Sequence, residues 1–353
     1  LVSVGVIGCG YWGPNLIRNF GQIGDCRVVS CSDLSDERLK HVKNLHPNIR
    51  TTKDYMEIIN DKKIDAVAIA TPASMHFDMA KKALLNNKHV LIEKPMTNNA
   101  ERAEELIAIA KERKKVLMVD HTFEYTSPVR KIKDMVENSE LGKIFSIDMI
   151  RVNLGIFQKD INVIWDLAPH DISILLFLLK KMPVSVKADG IGHIQNGIAD
   201  DAHLTLKFPE KIMAHIHVSW LNPLKIRKIT VVGSRKMLVY DDTEQSGKIK
   251  IYDKGVALER NSVPRDRYYD TWEEFRLVYR SGDVDIPKLE EKEPLNAMCR
   301  HFIECIKSGK TPVSDGISGL RVVKVIEALQ ESLKGSGKEI FIDAKESYVN
   351  TVN

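Results

Sequence analysis

The stretch Val2-Ser-Val-Gly-Val-Ile-Gly-Cys-Gly-Tyr-Trp-Gly-Pro-Asn15 decides the fold. Val2–Ile7 is a mostly apolar, β-branched run, as expected of a strand buried on both faces. Behind it stand Gly8, Gly10 and Gly13, and then a helical pattern carried by Leu16, Ile17 and Phe20. Strand, glycine turn and helix in that order form the dinucleotide-binding fingerprint. Gly8 permits the tight turn, Gly10 lets backbone N–H groups approach a pyrophosphate, and Gly13 lets the helix pack close to the strand. Tyr11 and Trp12 lie inside the turn and count as part of the cofactor site. Pro14 is tolerated because it falls in the first helical turn. The helix N-terminus then faces an anion.

A second part of the fingerprint follows. Asp33 ends the next strand pattern, 20 residues beyond Gly13. A carboxylate there accepts hydrogen bonds from ribose hydroxyls and repels a 2′-phosphate, which favours NAD over NADP. Arg38 and Lys40 lie nearby and soften that preference. Two other readings stay open: a structural turn in which Asp33 only caps the next helix, and a methyl-donor-binding fold. Walker-type phosphate binding is excluded, because no Gly-Lys-Ser/Thr follows.

Outward from this turn, strand-like runs recur at Arg27–Cys31, Ala66–Ala70, Val90–Ile92 and Val116–Val119. Helical patterns at Asp36–His46 and Ala100–Lys114 lie between them. A βαβα series implies a doubly wound parallel sheet, here a Rossmann domain over residues 1–122. Over 123–353 the pattern changes. Ala202–Leu206 and Ile212–Val218 alternate with period two, which gives an open, mostly antiparallel sheet with one apolar face. Pro169 starts a helix running through Ile172–Leu179, Leu295–Ile306 and Ile317–Leu333 are helical, and Glu339–Ile342 is a last strand. Glu259–Glu293 reads as a polar surface excursion.

The 353 residues suffice for two domains. Charged residues make up 28% and hydrophobic ones 43%, as in an ordinary globular protein. The net charge of +4 is interleaved rather than clustered, which excludes nucleic acid as partner. No apolar run is long enough for a membrane span, and no basic leader precedes the first strand, so a cytoplasmic location is expected. The 5 cysteines show no CxxC spacing and read as reduced, mostly buried small residues.

Strand Val90–Ile92 runs into Glu93-Lys94-Pro95, and strand ends in such sheets line the cofactor crevice. A lysine there holds a substrate hydroxyl and stabilises the alkoxide formed as hydride leaves. In Ile164-Trp-Asp-Leu-Ala-Pro-His-Asp-Ile-Ser173, Asp166 and His170 stand four apart and share a face if the turn is helical. A histidine held by a carboxylate suits proton removal near neutral pH. The plainer alternatives are a surface ion pair at Glu93-Lys94, and a helix cap at Asp166 with a hydrogen-bonded histidine at the helix start.

Together, GCGYWG at 8–13, EKP at 93–95 and DLAPH at 166–170 resemble the Gfo/Idh/MocA family of sugar and inositol dehydrogenases. The resemblance covers nearly the whole chain. It implies a Rossmann domain followed by an α/β domain with a large open sheet, and it makes Lys94, Asp166 and His170 catalytic. By it, His170 is the general base, Asp166 orients it, and Lys94 polarises the hydroxyl. The loop with Thr71, Pro72 and His76 borders the cofactor. The chain departs from the family pattern at Ala168 and Ser173, and Asp171 directly follows His170, which bears on substrate hydrogen bonding. The opening and the WDLAPHD stretch look like members that act on C3 of a nucleotide sugar such as UDP-N-acetylglucosamine, or reduce a 3-keto sugar. Arg151, Lys159 and Arg227 are candidates for a substrate diphosphate, against a base rate of ordinary surface charge.

His215 and His217 share a face, with His203 on the neighbouring strand pattern. No acid or cysteine is evident in register with them. The expectation is no metal, and a homodimer or homotetramer through the open sheet. An NAD-retaining glycoside hydrolase and a cofactor-binding regulator remain as alternatives to net oxidation.

Overall fold

The computed structural model describes residues 1–158, 161–256 and 279–342. The chain forms two compact units. The first takes Leu1–Ser127, Ile172–Leu176 and Glu291–Glu327; the second takes the remainder. The boundary expected at residues 122 and 123 thus falls within the first unit.

The first unit holds six strands: β1 (Val2–Ile7), β2 (Cys26–Ser32), β3 (Arg50–Thr52), β4 (Ala66–Ile69), β5 (His89–Ile92) and β6 (Leu117–Val119). They lie in the order β3-β2-β1-β4-β5-β6, and every pairing is parallel. The chain reverses direction across the sheet between β1 and β4, which is the switch point where such sheets bind ligands beyond their strand ends. Helices α1 (Trp12–Gly21), α2 (Asp36–Leu45), α3 (Tyr55–Asn60), α4 (Ala73–Leu85) and α5 (Ala100–Glu112) alternate with the strands. Ala66–Ile69 are wholly buried, which is why these strands read as continuous apolar runs.

The layer against α1 has a second source in the sequence. Three more helices follow: α6 (Ser127–Glu137), α7 (Val163–Leu179) and α8 (Pro294–Ser308), with α9 (Gly316–Lys334) last. Leu295, Met298, Cys299, Phe302 and Ile303 of α8 join one core with Leu16, Ile17 and Phe20 of α1. Phe302 meets Phe20 edge to face at 6.2 Å. Helix α8 therefore completes the first unit although some 170 residues of chain intervene between it and β6.

The second unit is built on nine strands: β7 (Ile144–Leu154), β8 (Ser185–Ile191), β9 (Asp201–Lys207), β10 (Met213–Ser219), β11 (Leu221–Gly233), β12 (Met237–Asp241), β13 (Ile249–Val256), β14 (Tyr279–Asp285) and β15 (Ile340–Phe341). Their order is β14-β13-β12-β11-β7-β10-β9-β8-β15. All pairings are antiparallel except β7 with β10. Ala202, Leu204, Leu206, Ala214, Ile216 and Val218 are buried, while His203, Met213 and His215 are exposed, so one face is open as the alternation predicts.

Two expectations need correction. Helix α7 starts at Val163, not at Pro169, which sits inside it. The ring removes one N–H from the helix, and the turn before it still forms, with the Asn162 side chain accepting from the Trp165 N–H at 3.2 Å. The polar excursion at Glu259–Glu293 lies partly outside the described residues, but Tyr279–Asp285 of it forms an edge strand. Among the described residues, no helix is long and apolar enough to cross a membrane. All five cysteines are buried free thiols.

Candidate active site

In the first unit, the glycine turn has the geometry its sequence requires. Gly8 has φ +94°, and a Cβ there would run into the Ala70 carbonyl. A Cβ on Gly13 would run into the carbonyl of Gly8. Gly10 instead faces open space, with only the Arg38 guanidinium 3.9 Å from where its Cβ would stand. Helix α1 begins at this opening with no side-chain cap and no acid in its first turn. Uncapped N–H groups at a helix start, beside a backbone stripped of side chains, fit a diphosphate. Tyr11 is 80% exposed beside the opening and stacks edge to face on Trp12.

Asp33 is tied into this turn. Its Oδ2 accepts from the Cys9 N–H at 2.8 Å and its Oδ1 from the Ser35 N–H at 2.8 Å. The cap of α2 is Ser35, whose hydroxyl accepts from Arg38 N–H, so Asp33 is not spent as a cap. Each oxygen keeps a second lone pair for a ribose hydroxyl. The Arg38 guanidinium lies 3.5 Å from Oδ2 and is more than half exposed, within reach of a phosphate on the ribose.

The loop after β4 brings Thr71 and Pro72 to the start of α4, with Pro72 exposed. His76 differs from the expectation of direct cofactor contact. It is buried, with Nδ1 2.8 Å from the Pro95 carbonyl and Nε2 2.9 Å from the Thr71 carbonyl. Burial pushes its pKa down. The neutral ring donates from one nitrogen to one of these carbonyls and packs its other nitrogen against the second, so both nitrogens are turned to the two loops rather than to a ligand.

Lys94 follows β5 at the carboxyl edge of the sheet, half-buried, and the Lys94–Pro95 peptide is cis. The sequence reading missed what stands next to it. Ile92 of β5 pairs with Val119 of β6, so Glu93 and Asp120 are the next residues on adjacent strands. Both are buried, and if both were ionised neither Glu93 Oε1 nor Asp120 Oδ2 would meet a donor among the described residues. Burial drives the Glu93 pKa well up, the Asp120 charge adds to this, and Lys94 opposes it. Burial also raises Asp120, against hydrogen bonds from Glu93 and Thr122 and the charge of Lys94. Two enclosed carboxyls in mutual contact share a proton, leaving a single negative charge for the pair. His121, 1% exposed, is held neutral, its pKa pushed down to about 3 by burial first and by Lys94 second. Neither of its ring nitrogens has a hydrogen-bond partner among the described residues.

In the second unit, Asp166 and His170 are one turn apart on α7, as their spacing requires. Asp166 is the first-turn acid of the helix, not its cap. Its Oδ2 accepts from the indole Nε1 of Trp220 at 3.0 Å. Trp220 is 1% exposed and packs closely on Gly155, where a Cβ would stand 2.7 Å from the indole. Phe157 meets the same ring edge to face at 5.7 Å. Nothing in the sequence pattern singled out Trp220, since a lone tryptophan after a strand reads as core.

Arg151 is not a surface charge waiting for a diphosphate. It is 5% exposed and forms a bidentate pair with Asp171, Nε to Oδ2 at 2.7 Å and Nη2 to Oδ1 at 3.0 Å. The departure at Asp171 is thereby explained: the acid after His170 anchors α7 to β7. Arg227 is half-buried and 3.4 Å from Asp242. Lys159 lies outside the described residues.

Comparison with known proteins agrees with this geometry. Residues 2–121 match the oxidoreductase family with an NAD-binding Rossmann fold, and residues 129–239 match the GFO/IDH/MocA C-terminal domain. The chain is 30% identical over 255 residues to the uncharacterized oxidoreductase YdgJ of Escherichia coli, covering 66% of this chain and 69% of that one. It is 26% identical to myo-inositol 2-dehydrogenase of Thermotoga maritima, over 94% of this chain and 96% of that one. It is 25% identical to UDP-N-acetylglucosamine 3-dehydrogenase of Acidithiobacillus ferrooxidans, over 91% and 94%. The solved structure of that enzyme superimposes with a TM-score of 0.78 at 23% identity, covering 95% of this chain and 98% of that one. With its glycine turn, its Asp33 and its two matched domains, this chain belongs to the Gfo/Idh/MocA family of oxidoreductases and carries that family's NAD-binding Rossmann domain.

Proposed function

We propose that this NAD-dependent oxidoreductase oxidises a secondary hydroxyl of a sugar, at C3 of a nucleotide sugar such as UDP-N-acetylglucosamine. The observation that carries the reading is Lys94 at the carboxyl edge of β5, beside the buried pair Glu93 and Asp120, in a sheet that binds NAD. NAD, when bound, accepts a hydride at its nicotinamide ring. The α1 N-terminus and the turn at Gly10 hold its diphosphate, with Tyr11 and Trp12 flanking, and Asp33 holds the adenosine ribose and selects against NADP. Thr71 and Pro72 border the ring, with His76 holding their loop.

Lys94 polarises the reacting hydroxyl and stabilises the oxygen as its proton departs. His170 takes that proton. Its Nδ1 is enclosed, so Nε2 is assigned as the acceptor. Asp166, fixed by Trp220 one turn before His170, is assigned the orienting role. The five buried free thiols fit a reducing, cytoplasmic setting. Assembly into a dimer or tetramer through the open sheet face belongs to the same reading.

The nucleotide-sugar branch rests on the relative from Acidithiobacillus ferrooxidans, and an inositol branch has support of similar weight in the relative from Thermotoga maritima. The test is absorbance of reduced nicotinamide with excess NAD and a panel of UDP-N-acetylglucosamine, UDP-glucose, dTDP-sugars, inositols and free glucose. Many turnovers with one nucleotide sugar confirm the reading. Turnover with inositols alone moves the substrate to the second branch. No net reduction with any of them, together with NADH-independent glycoside cleavage, would replace oxidation by a redox-neutral cycle.

A further inference from the structure

The open face of the second sheet carries a side-chain cluster that the proposed reaction does not use. In the antiparallel pair β9 and β10, His203 lies directly opposite His217, and Asp201 lies opposite Ser219. The residues between them, Ala202, Leu204, Ile216 and Val218, point into the core at 1% exposure or less. The histidines therefore project together on the other face. Their rings stack, with centroids 4.1 Å apart and planes at 11°. Both Nε2 atoms turn toward one carboxylate. His217 Nε2 is 3.3 Å from Asp201 Oδ2, and His203 Nε2 is 3.9 Å from Asp201 Oδ1. One ligand atom from each residue lies within 4.8 Å of the other two.

We propose that Asp201, His203 and His217 form a binding site for a divalent cation of the zinc class. The absence of an acid in register, which argued against a metal from sequence, does not hold in the fold. Asp201 stands one strand pair along from His217, and its side chain reaches back diagonally across the pleat. Two imidazoles and one carboxylate are the donor set of borderline transition metals rather than of calcium or magnesium, which take oxygen ligands. Metal–ligand bonds of about 2.0–2.2 Å in a tetrahedron put neighbouring ligand atoms roughly 3.3 Å apart. The His217–Asp201 separation already matches, and binding requires the two stacked rings to turn out of parallel so that both in-plane lone pairs meet at one point. That rotation displaces no core atoms, because His203 is exposed and His217 and Asp201 are only half-buried.

The surroundings leave the cluster to itself. Lys187 is engaged by Asp189, the residue opposite His203 on β8, and Lys228 is 3.5 Å from Asp241. His215, two residues from His217 on the same face, is 3.2 Å from the Thr205 hydroxyl instead. All three ligands come from one chain and from two hydrogen-bonded strands, so no loop has to be ordered on binding.

The experiment is titration of the tag-free, chelator-dialysed full chain with zinc chloride by calorimetry, and with cobalt chloride by visible absorption. One zinc ion per chain and the intense ligand-field bands of four-coordinate cobalt are expected. H203A, H217A and D201N should each weaken zinc by more than the about 10–100-fold cost of losing an outer-shell partner, while H215A leaves it unchanged. Equal binding by the wild type and the H203A/H217A double variant would overturn the proposal. So would a cobalt spectrum indistinguishable from the aquated ion, a readout that needs no variant. Neither measurement involves substrate or NAD, so the outcome is independent of the proposed reaction.

Discussion

The two sheets solve the placement of polar groups in opposite ways. In the first, both faces are covered, so the buried positions of β1, β4 and β5 are apolar. Their chemistry is displaced to the carboxyl edge, where Gly8, Thr71, Glu93 and Asp120 each stand one or two residues beyond a strand. In the second, one face is open, and every other residue of β9 and β10 is free to be polar. There the catalytic candidates Asp166 and His170 come from a helix, and the strands hold the histidine cluster. A covered parallel sheet concentrates function at one edge, whereas a half-open sheet spreads it over a surface.

This contrast can be broken at both ends. Lys94→Ala, at the strand edge, and His170→Ala, on the helix, should each lower kcat by about 10²–10⁴-fold, the usual worth of a positioned acid or base. NAD affinity by fluorescence titration should stay close to that of the wild type; near-normal turnover in either variant would remove that residue from the chemistry. Asp171→Ala should cost about 3–5 kcal/mol in urea unfolding, because the Arg151 guanidinium loses its bidentate partner inside the protein. A loss no larger than that of an exposed pair would mean that α7 is held by other contacts.

Smaller effects sharpen the comparison. Asp33→Ala should reduce the preference for NAD over NADP by about one to two orders of magnitude, the worth of one or two charge-assisted hydrogen bonds. The ratio of kcat/KM for the two cofactors measures it, and an unchanged ratio would detach Asp33 from the ribose. Glu93→Gln should act on the pH dependence of stability. Glu93 has a raised pKa in the folded state, so the native protein keeps a proton that the unfolded chain releases. Stability is then full below the ordinary carboxylate range and is lost as pH rises through the raised value. The variant should show a flatter Tm from the ordinary carboxylate range upward than the wild type; parallel curves would mean that the pair holds no proton.

Much of this was legible in one dimension because the relevant signals are local. The turn at Gly8–Gly13 is a contiguous motif, and β1 and β5 are short, mostly apolar runs bounded by turn residues. Asp166 and His170 fall one turn apart on α7 because four residues is one helical turn whatever surrounds it. The start of α7 was misplaced because proline is a local signal that packing overrode. Strand β3 has only three residues and no pattern of its own.

The sequence by itself determined the cofactor fold, the identity of Lys94, Asp166 and His170 as candidates, and the alternation of β9 and β10. Each depends on spacings of a few residues, set by backbone geometry. Only the tertiary structure decided what those residues face. Asp120 came beside Glu93 through the register of β5 and β6, and Trp220 reached Asp166 across 54 residues. Arg151 turned inward to Asp171, and Asp201 came into reach of two histidines. Those partnerships follow from strand order and packing, and pairings between distant segments leave no periodic trace along the chain.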